Sequence, residues 1–345
     1  MTKDPATQPE AADKLRELIT RYFISRALYA VAAVDVAGAL ARASKSTDEL
    51  ATELGVHAPS LYRILRALAA HGIFHEDDAG CFSNTPMSEL LRQDVAGSLR
   101  DLALLFGHET SWRSWEAIVH TLKSGEAAFE HTYGEKFFDY LQIHPDTAAM
   151  FDRAMVSASS TAIEAVLEAY DFSGLRSLVD VAGGVGAGLC SIVQATPGLH
   201  GILFDLPHVA DRALEFIARQ RLNDRCEFIA GSFFESVPGE GDIYTLARVL
   251  LNWPDEDVVK ILRTLRRSMR NGTKLLILDY VLNEPDHPAY RGSILQDLSL
   301  FVTFGGAYRT RQEWLALIKA GSFRLLSIRQ APQPSFLTVI EVEPC

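Results

Sequence analysis

The stretch that decides the fold of the C-terminal half is SLVDVAGGVGAG, residues 177–188. A short apolar run ends at Asp180, and a turn rich in glycine follows almost at once. Glycines at such a turn let a ligand approach the backbone closely, and the run before them is typical of a buried strand. The segment therefore predicts the first strand and first turn of a nucleoside-binding α/β domain.

Further short apolar runs follow this segment along the chain. They are GILFDL, CEFIAG, DIYTLARVL, KLLILDYV, RLLSIRQ and FLTVIEVE, and most are separated by segments of helical length. This alternation predicts a mostly parallel sheet with helices on both faces. The last two runs are too close for a helix between them, so we expect an antiparallel pair at the sheet edge. The predicted class is α/β, a Rossmann-like seven-stranded sheet with an antiparallel edge strand.

A second acidic residue supports a nucleoside ligand. Asp205 ends the second run, 25 positions after Asp180. A carboxylate at that strand end is placed to accept hydrogen bonds from two ribose hydroxyls. Leu189 stands where the last glycine of a dinucleotide-binding GxGxxG would fall, and the lysine of a phosphate-binding P-loop is missing. The pattern indicates a nucleoside without deciding which one.

The N-terminal part has the outline of a winged helix. Residues 46–92 contain a capping signature at Ser46, two short helices around a turn near Gly55, and a β-wing with Gly80 at its tip. Before them, apolar residues at helical spacing predict two amphipathic helices from Ala12 to Ala43, after a disordered tail. Their apolar face needs a partner, which predicts a homodimer. Acidic residues flank the would-be recognition helix, so we expect no nucleic-acid partner.

The composition of the chain argues against several classes of protein. Hydrophobic residues make up 48% and charged residues 22%, with a net charge of −11, as in an ordinary globular protein that avoids polyanions. Neither a signal peptide nor an apolar run long enough for a membrane span is visible, so a cytoplasmic location is expected. The four cysteines lie far apart without CxxC spacing, which argues against a disulfide framework and a metal site.

Motifs along nearly the whole chain carry a family resemblance. They are DVAGGVG, ILFDLPHV, NWPDED, FGGAYRTRQEW and FDRAM, together with the winged-helix start. With them the chain resembles the class I small-molecule O-methyltransferases, which include plant phenolic, hydroxyindole and bacterial antibiotic-tailoring enzymes. The resemblance implies an S-adenosylmethionine-dependent methyltransferase acting on a small aromatic secondary metabolite. It also implies a winged-helix-like dimerisation domain (1–97), a helical linker and substrate cap (98–170) and a catalytic Rossmann-like domain (171–345).

The resemblance further implies a cofactor site. The glycine turn would pass under the methionine part of the cofactor, Asp205 would bind the ribose, and Phe233 would stack on adenine. Met155 would lie near the transferred methyl group and the acceptor. The family usually has glycine at position 182 and aspartate at position 232, where this chain has alanine and serine, and a serine oxygen replaces that adenine acceptor more weakly. The implied cofactor residues are Asp180, Ala182, Gly183, Gly184, Asp205, Leu206, Ser232, Phe233, Ala247 and Arg248.

The third departure concerns the general base. The family has His-Asp-Trp where this chain has Leu251, Asn252 and Trp253. Leucine has no proton-accepting atom, so we expect catalysis by proximity and orientation. Asn252 would hydrogen-bond to the acceptor, with Asp297 as a back-up base or orienter. The replacement is similar to that in anthracycline-tailoring relatives, and phenazine-modifying relatives also lack the histidine, which favours a polycyclic aromatic acceptor.

Three further residues are candidates for substrate contact. Trp112 and Phe138 would line an aromatic pocket, and Arg309 would orient an anionic group of the substrate. Plainer alternatives stay open: the aromatics in the core, Asn252 capping the next helix, Asp297 in a surface helix pair, and Arg309 neutralising a helix end. Two other functions also stay open. One is a cofactor-binding hydroxylase or pericyclase that transfers no methyl group, and the other is a ligand-sensing winged-helix regulator.

Overall fold

The computed structural model describes residues 8–239, 241–332, 335 and 337–345, with the backbone alone at residues 158–161. The chain divides into two compact units, Met1–Trp112 and Arg113–Cys345. The three regions expected from the family resemblance stay a prediction. Across the described residues, no helix is both long and apolar enough to cross a bilayer.

The N-terminal unit is mostly helical. The first helix begins at Gln8, inside the tail that the sequence predicted as disordered, because the segment QPEAADKLRELIT is rich in good helix formers. Residues 1–7 of that tail lie outside the described residues. The helices are α1 (Gln8–Thr20), α2 (Tyr22–Ala33), α3 (Val36–Ala39), α4 (Thr47–Leu54), α5 (Ala58–Ala69), α6 (Pro86–Glu89), α7 (Arg100–Gly107) and α8 (Glu109–Glu116), which crosses into the second unit, and the strands are β1 (Lys45–Ser46), β2 (Phe74–Glu76) and β3 (Cys81–Asn84).

The predicted winged-helix outline is present in this unit. Ser46 and Glu49 form a capping box at the start of α4, in which each side chain accepts from the other's backbone N–H. Gly55 ends α4 in the left-handed conformation, at φ 67°. Strands β2 and β3 form the wing, and β1 pairs with β3 on its other side. Leu65 and Phe82 are fully buried between these elements.

The C-terminal unit carries the α/β fold. Its helices are α9 (Ile118–Ser124), α10 (Ala128–Tyr133), α11 (Phe137–Ile143), α12 (Pro145–Ala169), α13 (Ala187–Ala195), α14 (Ala210–Arg219), α15 (Asp255–Ser268), α16 (Tyr290–Phe304) and α17 (Arg311–Ala320). Its strands are β4 (Ser177–Val181), β5 (His200–Asp205), β6 (Cys226–Ala230), β7 (Ile243–Ala247), β8 (Lys274–Asp279), β9 (Phe323–Gln330) and β10 (Thr338–Pro344). Each of the apolar runs predicted as strands overlaps one of them.

Within the described chain these strands form one seven-stranded sheet in the order β6-β5-β4-β7-β8-β10-β9. The pairs from β6 to β8 are parallel, whereas β10 is antiparallel to both β8 and β9. The strand that runs against the others therefore lies one place inside the edge, and β9 forms the edge itself. Apolar clusters cover both faces, one containing Leu178 and the other Val179, so successive residues of β4 point to opposite layers.

The order of the strands indicates where a ligand crevice lies. From β4 the chain adds β5 and β6 on one side and returns to add β7 and β8 on the other. Open α/β sheets bind ligands outside the carboxyl ends of the strands at such a switch point. The segments that follow Val181, Asp205 and Ala247 all lie at this edge, because the three strands are parallel.

Candidate functional site

The glycine turn after β4 has a closed side and an open side. Ala182 has φ 57° and donates its backbone N–H to the carbonyl oxygen of Phe204 at 2.7 Å. A Cβ atom at Gly183 would collide with the carboxylate of Asp180 and the side chain of Leu203, so a larger residue would force these side chains to move. A Cβ atom at Gly184, at φ 61°, would meet none of the described atoms within 4 Å. The backbone there is open to a ligand, as a nucleoside cofactor requires.

Asp205 presents a fixed carboxylate beside that turn. Its Oδ2 accepts the N–H of Gly184 at 2.7 Å, and its Oδ1 accepts the N–H of Leu206 at 2.6 Å. Burial raises the pKa of Asp205 to about 6, although these two N–H groups oppose the shift. The carboxyl group is thus oriented by the backbone, and its remaining lone pairs suit the two ribose hydroxyls expected from the sequence.

Asp180 lies under the turn. It is 4% exposed, and its Oδ1 accepts the hydroxyl of Thr245 at 2.7 Å. Burial raises the pKa of Asp180 to about 7, the Thr245 bond opposes that shift, and the charge of Asp205 adds to it. Asp180 therefore supports the glycine turn, and it would affect a bound cofactor only through the position of that turn.

The loop after β6 presents its aromatic rings beside the site. The ring of Phe233, predicted to stack on adenine, lies 5.7 Å from the ring of Trp253, nearly perpendicular to it. Ser232 Oγ accepts the N–H of Phe234 at 3.3 Å, which fixes the loop. Ser232 is therefore partly occupied by its own backbone, consistent with a weaker role at adenine than the aspartate of the family.

Three nearly parallel rings form a wall that we call the aromatic stack: Trp253, Phe138 and Phe304. The ring of Phe138 lies 5.8 Å from that of Trp253 and 5.5 Å from that of Phe304, with interplanar angles of 20° and 18°. All three side chains are half-buried. Phe138, which the sequence predicted at the substrate, thus stacks on Trp253, whose ring also contacts that of Phe233. Trp112 belongs to the N-terminal unit, where the guanidinium of Arg26 lies 4.7 Å from its ring.

Leu251 stands where the family resemblance predicts a general base. It is 6% exposed, its N–H donates to Asp279 Oδ2 at 3.1 Å, and its carbonyl accepts from Ala307 N at 3.0 Å. Asp279 is fully buried and also accepts the N–H of Tyr280 at 2.8 Å. Burial raises the pKa of Asp279 to about 7. Because both of its oxygens accept backbone N–H groups, Asp279 holds this segment in place.

Asn252 and Arg248 brace the turn after β7. Asn252 Nδ2 donates to the carbonyl of Arg248 at 3.1 Å. The alternative of a helix cap is wrong, because α15 is preceded by Pro254 and receives no side-chain cap bond. Arg248 has φ 56°, and its Nη2 donates to the carbonyl of Met155 at 3.3 Å. Met155 is thereby tied to the carboxyl end of β7, next to Ala247.

Arg309 does not play the substrate-orienting part predicted for it. Its side chain is 3% exposed and donates from Nε to Asp255 at 2.8 Å. Nη1 donates to the carbonyls of Leu250 and Ala307, at 3.1 and 3.2 Å, and Nη2 donates to that of Trp253 at 2.7 Å. The guanidinium instead joins two loops around the position of the absent base.

Asp297 is half-buried on α16, and its Oδ1 accepts the N–H of Tyr308 at 2.6 Å. Tyr308 stacks on Tyr280, with ring centroids 5.0 Å apart. Sequence reasoning missed this tyrosine pair. Tyr280 directly follows the run KLLILD, so its place at the strand end was a usable signal, whereas its pairing with Tyr308 depends on the fold.

Another missed contact lies beside the ribose position. Asp152 on α12 accepts from Nε of Arg212 on α14 at 2.5 Å, and both side chains are mostly buried. Arg212 also donates to the carbonyl of His208 at 3.0 Å. This pair fastens the helix of Met155 to the segment that follows Asp205. Among the described residues, no three His, Cys, Asp or Glu side chains are grouped to hold a metal ion.

Comparison with known proteins identifies the family. The model of the O-methyltransferase domain matches residues 112–324. The chain belongs to the O-methyltransferase family. A second model, the O-methyltransferase dimerisation domain, matches residues 16–94. The family resemblance read from the sequence is therefore confirmed, and the protein is a methyltransferase.

Individual relatives are named for the compounds that they methylate or for the pathways to which they belong. The phenazine O-methyltransferase of Lysobacter antibioticus is 38% identical over 96% of this chain and 95% of its own. The phenazine-1-carboxylate N-methyltransferase of Pseudomonas aeruginosa is 31% identical over 95% and 97%. An O-methyltransferase from neocarzinostatin biosynthesis, solved with S-adenosylmethionine and 2-hydroxy-5-methyl naphthoic acid, has a TM-score of 0.79 at 27% identity and covers 93% of this chain and 96% of its own.

Proposed function

We propose that this protein transfers a methyl group from S-adenosylmethionine to an oxygen or nitrogen of a small polycyclic aromatic metabolite. The observation that supports the acceptor class is the aromatic stack, because its half-buried rings form an apolar aromatic surface of the kind that flat aromatic molecules bind. Relatives that act on phenazines support the same class.

The residues at the crevice fit the cofactor. The open backbone at Gly184 would accommodate its methionine part, Asp205 would accept the ribose hydroxyls, and Phe233 would stack on adenine. Ala182, Gly183, Leu206, Ser232, Ala247 and Arg248 complete the proposed binding site, with Asp180 beneath it. When bound, S-adenosylmethionine supplies a methyl group on a positively charged sulfur that is a good leaving group.

The protein's own contribution is positioning. Leu251 offers no base, and general-base assistance is typically worth about 10²–10⁴-fold. Holding two reactants in line supplies effective molarities of about 10⁵–10⁸ M, the larger effect. Met155, anchored by Arg248, and the aromatic stack would hold the acceptor behind the methyl group and exclude water. The carbonyl oxygen of the Asn252 side chain would accept a hydrogen bond from a second polar group of the acceptor.

Mass spectrometry tests this function. The purified protein is incubated with methyl-labelled S-adenosylmethionine and a panel of polycyclic phenols and nitrogen heterocycles. We expect a labelled product heavier by one CH₂ unit, together with S-adenosylhomocysteine, and no product from the Asp205→Asn variant at low cofactor concentration. A product that is oxidised or rearranged, with the cofactor intact, would support the hydroxylase or pericyclase alternative, which the buried Leu251 favours.

We also propose that the protein is a homodimer. Leu15, Leu18, Ile19, Tyr22 and Phe23 recur at helical spacing on α1 and α2, and each is at least half exposed. These residues surround the start of the matched dimerisation domain. Light scattering on Ile19→Asp should give a monomer, whereas the matched control Leu122→Asp, at another exposed leucine, should stay dimeric. A wild-type monomer at micromolar concentration would contradict this proposal.

A further inference from the structure

The segments hydrogen-bonded to the turn of Leu251 and Asn252 offer positive charge and hydrogen-bond donors in place of a base. Both oxygens of Asp279 already accept backbone N–H groups, and Asp297 accepts the N–H of Tyr308. Arg248, Tyr280 and Tyr308 contribute a cation and two phenol hydroxyls. Such a set stabilises a negative charge and does not remove a proton.

The charge of Arg248 reaches its neighbours. Burial raises the pKa of Asp279, Tyr280 and Tyr308, and the positive charge of Arg248 opposes that rise in each of the three. Arg248 also hydrogen-bonds to Tyr280. The negative charge of Asp279 acts on both tyrosines in the opposite direction, and that of Asp297 does so on Tyr308. An acceptor hydroxyl beside the guanidinium of Arg248 would be stabilised in its ionised form.

The backbone holds this cation at the strand end. Arg248 follows β7 directly, and its φ of 56° is uncommon for a residue with a side chain. Its N–H donates to the carbonyl of Leu278 at 2.8 Å, and its own carbonyl accepts from Asn252. The guanidinium lies at the carbonyl of Met155, beside the proposed position of the methyl group.

The two tyrosines are fixed donors. Their rings stack with an interplanar angle of 19°, and both side chains are half-buried. Because burial raises the pKa of each hydroxyl, both stay protonated near neutral pH and can donate. Tyr280 is held by the end of β8, and Tyr308 by the bond from its N–H to Asp297.

We infer that the acceptor is an acidic phenol bound as its anion, with Arg248 as the counter-charge and the hydroxyls of Tyr280 and Tyr308 as donors to its oxygen. This inference rests on the proposed function. The phenol loses its proton to solvent before it binds. Its oxygen then forms the new C–O bond while the S–C bond breaks, and the electron pair of that bond stays on sulfur. The negative charge of the phenolate and the positive charge of the sulfonium cancel in the products, and no proton is left for the enzyme to accept.

The pH dependence of turnover tests this inference. For wild-type protein we measure kcat/KM from pH 5 to 10 with phenols of graded acidity and the same ring system. The midpoint should follow the pKa of each free phenol. Arg248→Met should lower kcat/KM about 10²–10³-fold, as removal of an oxyanion donor does elsewhere, and Arg248→Lys should recover part of the loss. These values are measured at a concentration of S-adenosylmethionine that saturates each variant, because Arg248 also belongs to the proposed cofactor site.

One control and one further site variant accompany these variants. Arg176→Met removes an arginine whose side chain is 91% exposed, at the opposite end of β4, and should match wild type. Tyr308→Phe should lower kcat/KM without moving the midpoint. A midpoint that is the same for every phenol and disappears in Asp297→Asn would assign proton removal to that carboxylate and overturn the inference. Loss of S-adenosylhomocysteine affinity alone in Arg248→Met would also overturn it, whereas failure of wild-type protein to methylate any acceptor would refute the proposed function instead.

Discussion

Replacing Arg309 with methionine tests whether its side chain stabilises the fold or contacts the substrate. Methionine keeps much of the buried volume and removes every hydrogen bond of the guanidinium. Three of these bonds go to the carbonyls of Leu250, Trp253 and Ala307. Hydrogen bonds to a charged group are typically worth about 1.5–3 kcal/mol each, so the loss of three bonds, with some relaxation of the neighbouring loops, should cost about 3–5 kcal/mol. The bond to Asp255, whose side chain is 67% exposed, adds less than about 1 kcal/mol.

We therefore expect Arg309→Met to lower the free energy of unfolding by about 3–5 kcal/mol, a large part of the typical 5–15 kcal/mol. Urea unfolding followed by tryptophan fluorescence and circular dichroism measures this change. The matched control, Asp255→Asn, should cost less than about 1 kcal/mol. An Arg309→Met protein with the wild-type midpoint and a tenfold higher KM for the acceptor would refute this reasoning and restore the substrate role predicted from the sequence.

Three other predictions concern the site. Ribose hydroxyls donate to the ionised form of Asp205, and burial raises the pKa of that carboxyl to about 6. The affinity for S-adenosylhomocysteine, measured by calorimetry, should therefore be constant above about pH 6 and fall up to tenfold per pH unit below it. Asp205→Asn should bind about 10–100-fold more weakly and lose this pH dependence; an unchanged profile would assign it to another group. Leu251→His should leave the methylation rate of the native acceptor unchanged or lower, and a large gain measured under saturating cofactor would show that the missing base limits the wild-type rate. Asp152→Asn should lower the free energy of unfolding by about 1–3 kcal/mol, because it weakens the bond from Arg212, and the Asp152→Arg/Arg212→Asp double variant should recover part of this loss in the same urea titration.

Local patterns in the sequence predicted the backbone of the catalytic unit well. Each apolar run from SLVDV to TVIEVE forms a strand, because a strand buried on both faces requires a short continuous apolar run. Glycines 183 and 184 lie where the chain approaches Asp180 on one side and opens on the other. Such features depend on residues close in sequence, so they are legible without the fold.

The roles of long polar side chains were predicted less well. Arg309 stands in FGGAYRT, where its charge suggested a substrate contact, yet its partners are backbone carbonyls 56–59 positions away and Asp255. Asn252 was open to capping or substrate contact, and its amide binds the carbonyl of Arg248. A flexible side chain has several partners within reach, and the fold alone decides which of them it meets.

Spacing and residue chemistry along the chain were enough to predict the α/β class, the winged-helix outline and the family, because they are local properties. The charged and polar groups near Leu251 instead depend on the tertiary structure. Arg248, Tyr280 and Tyr308 come from the ends of two strands and from the loop after α16, and parallel pairing of β7 with β8 brings the first two together. Their combined charge and donor groups follow from contacts between distant segments, which no local pattern encodes.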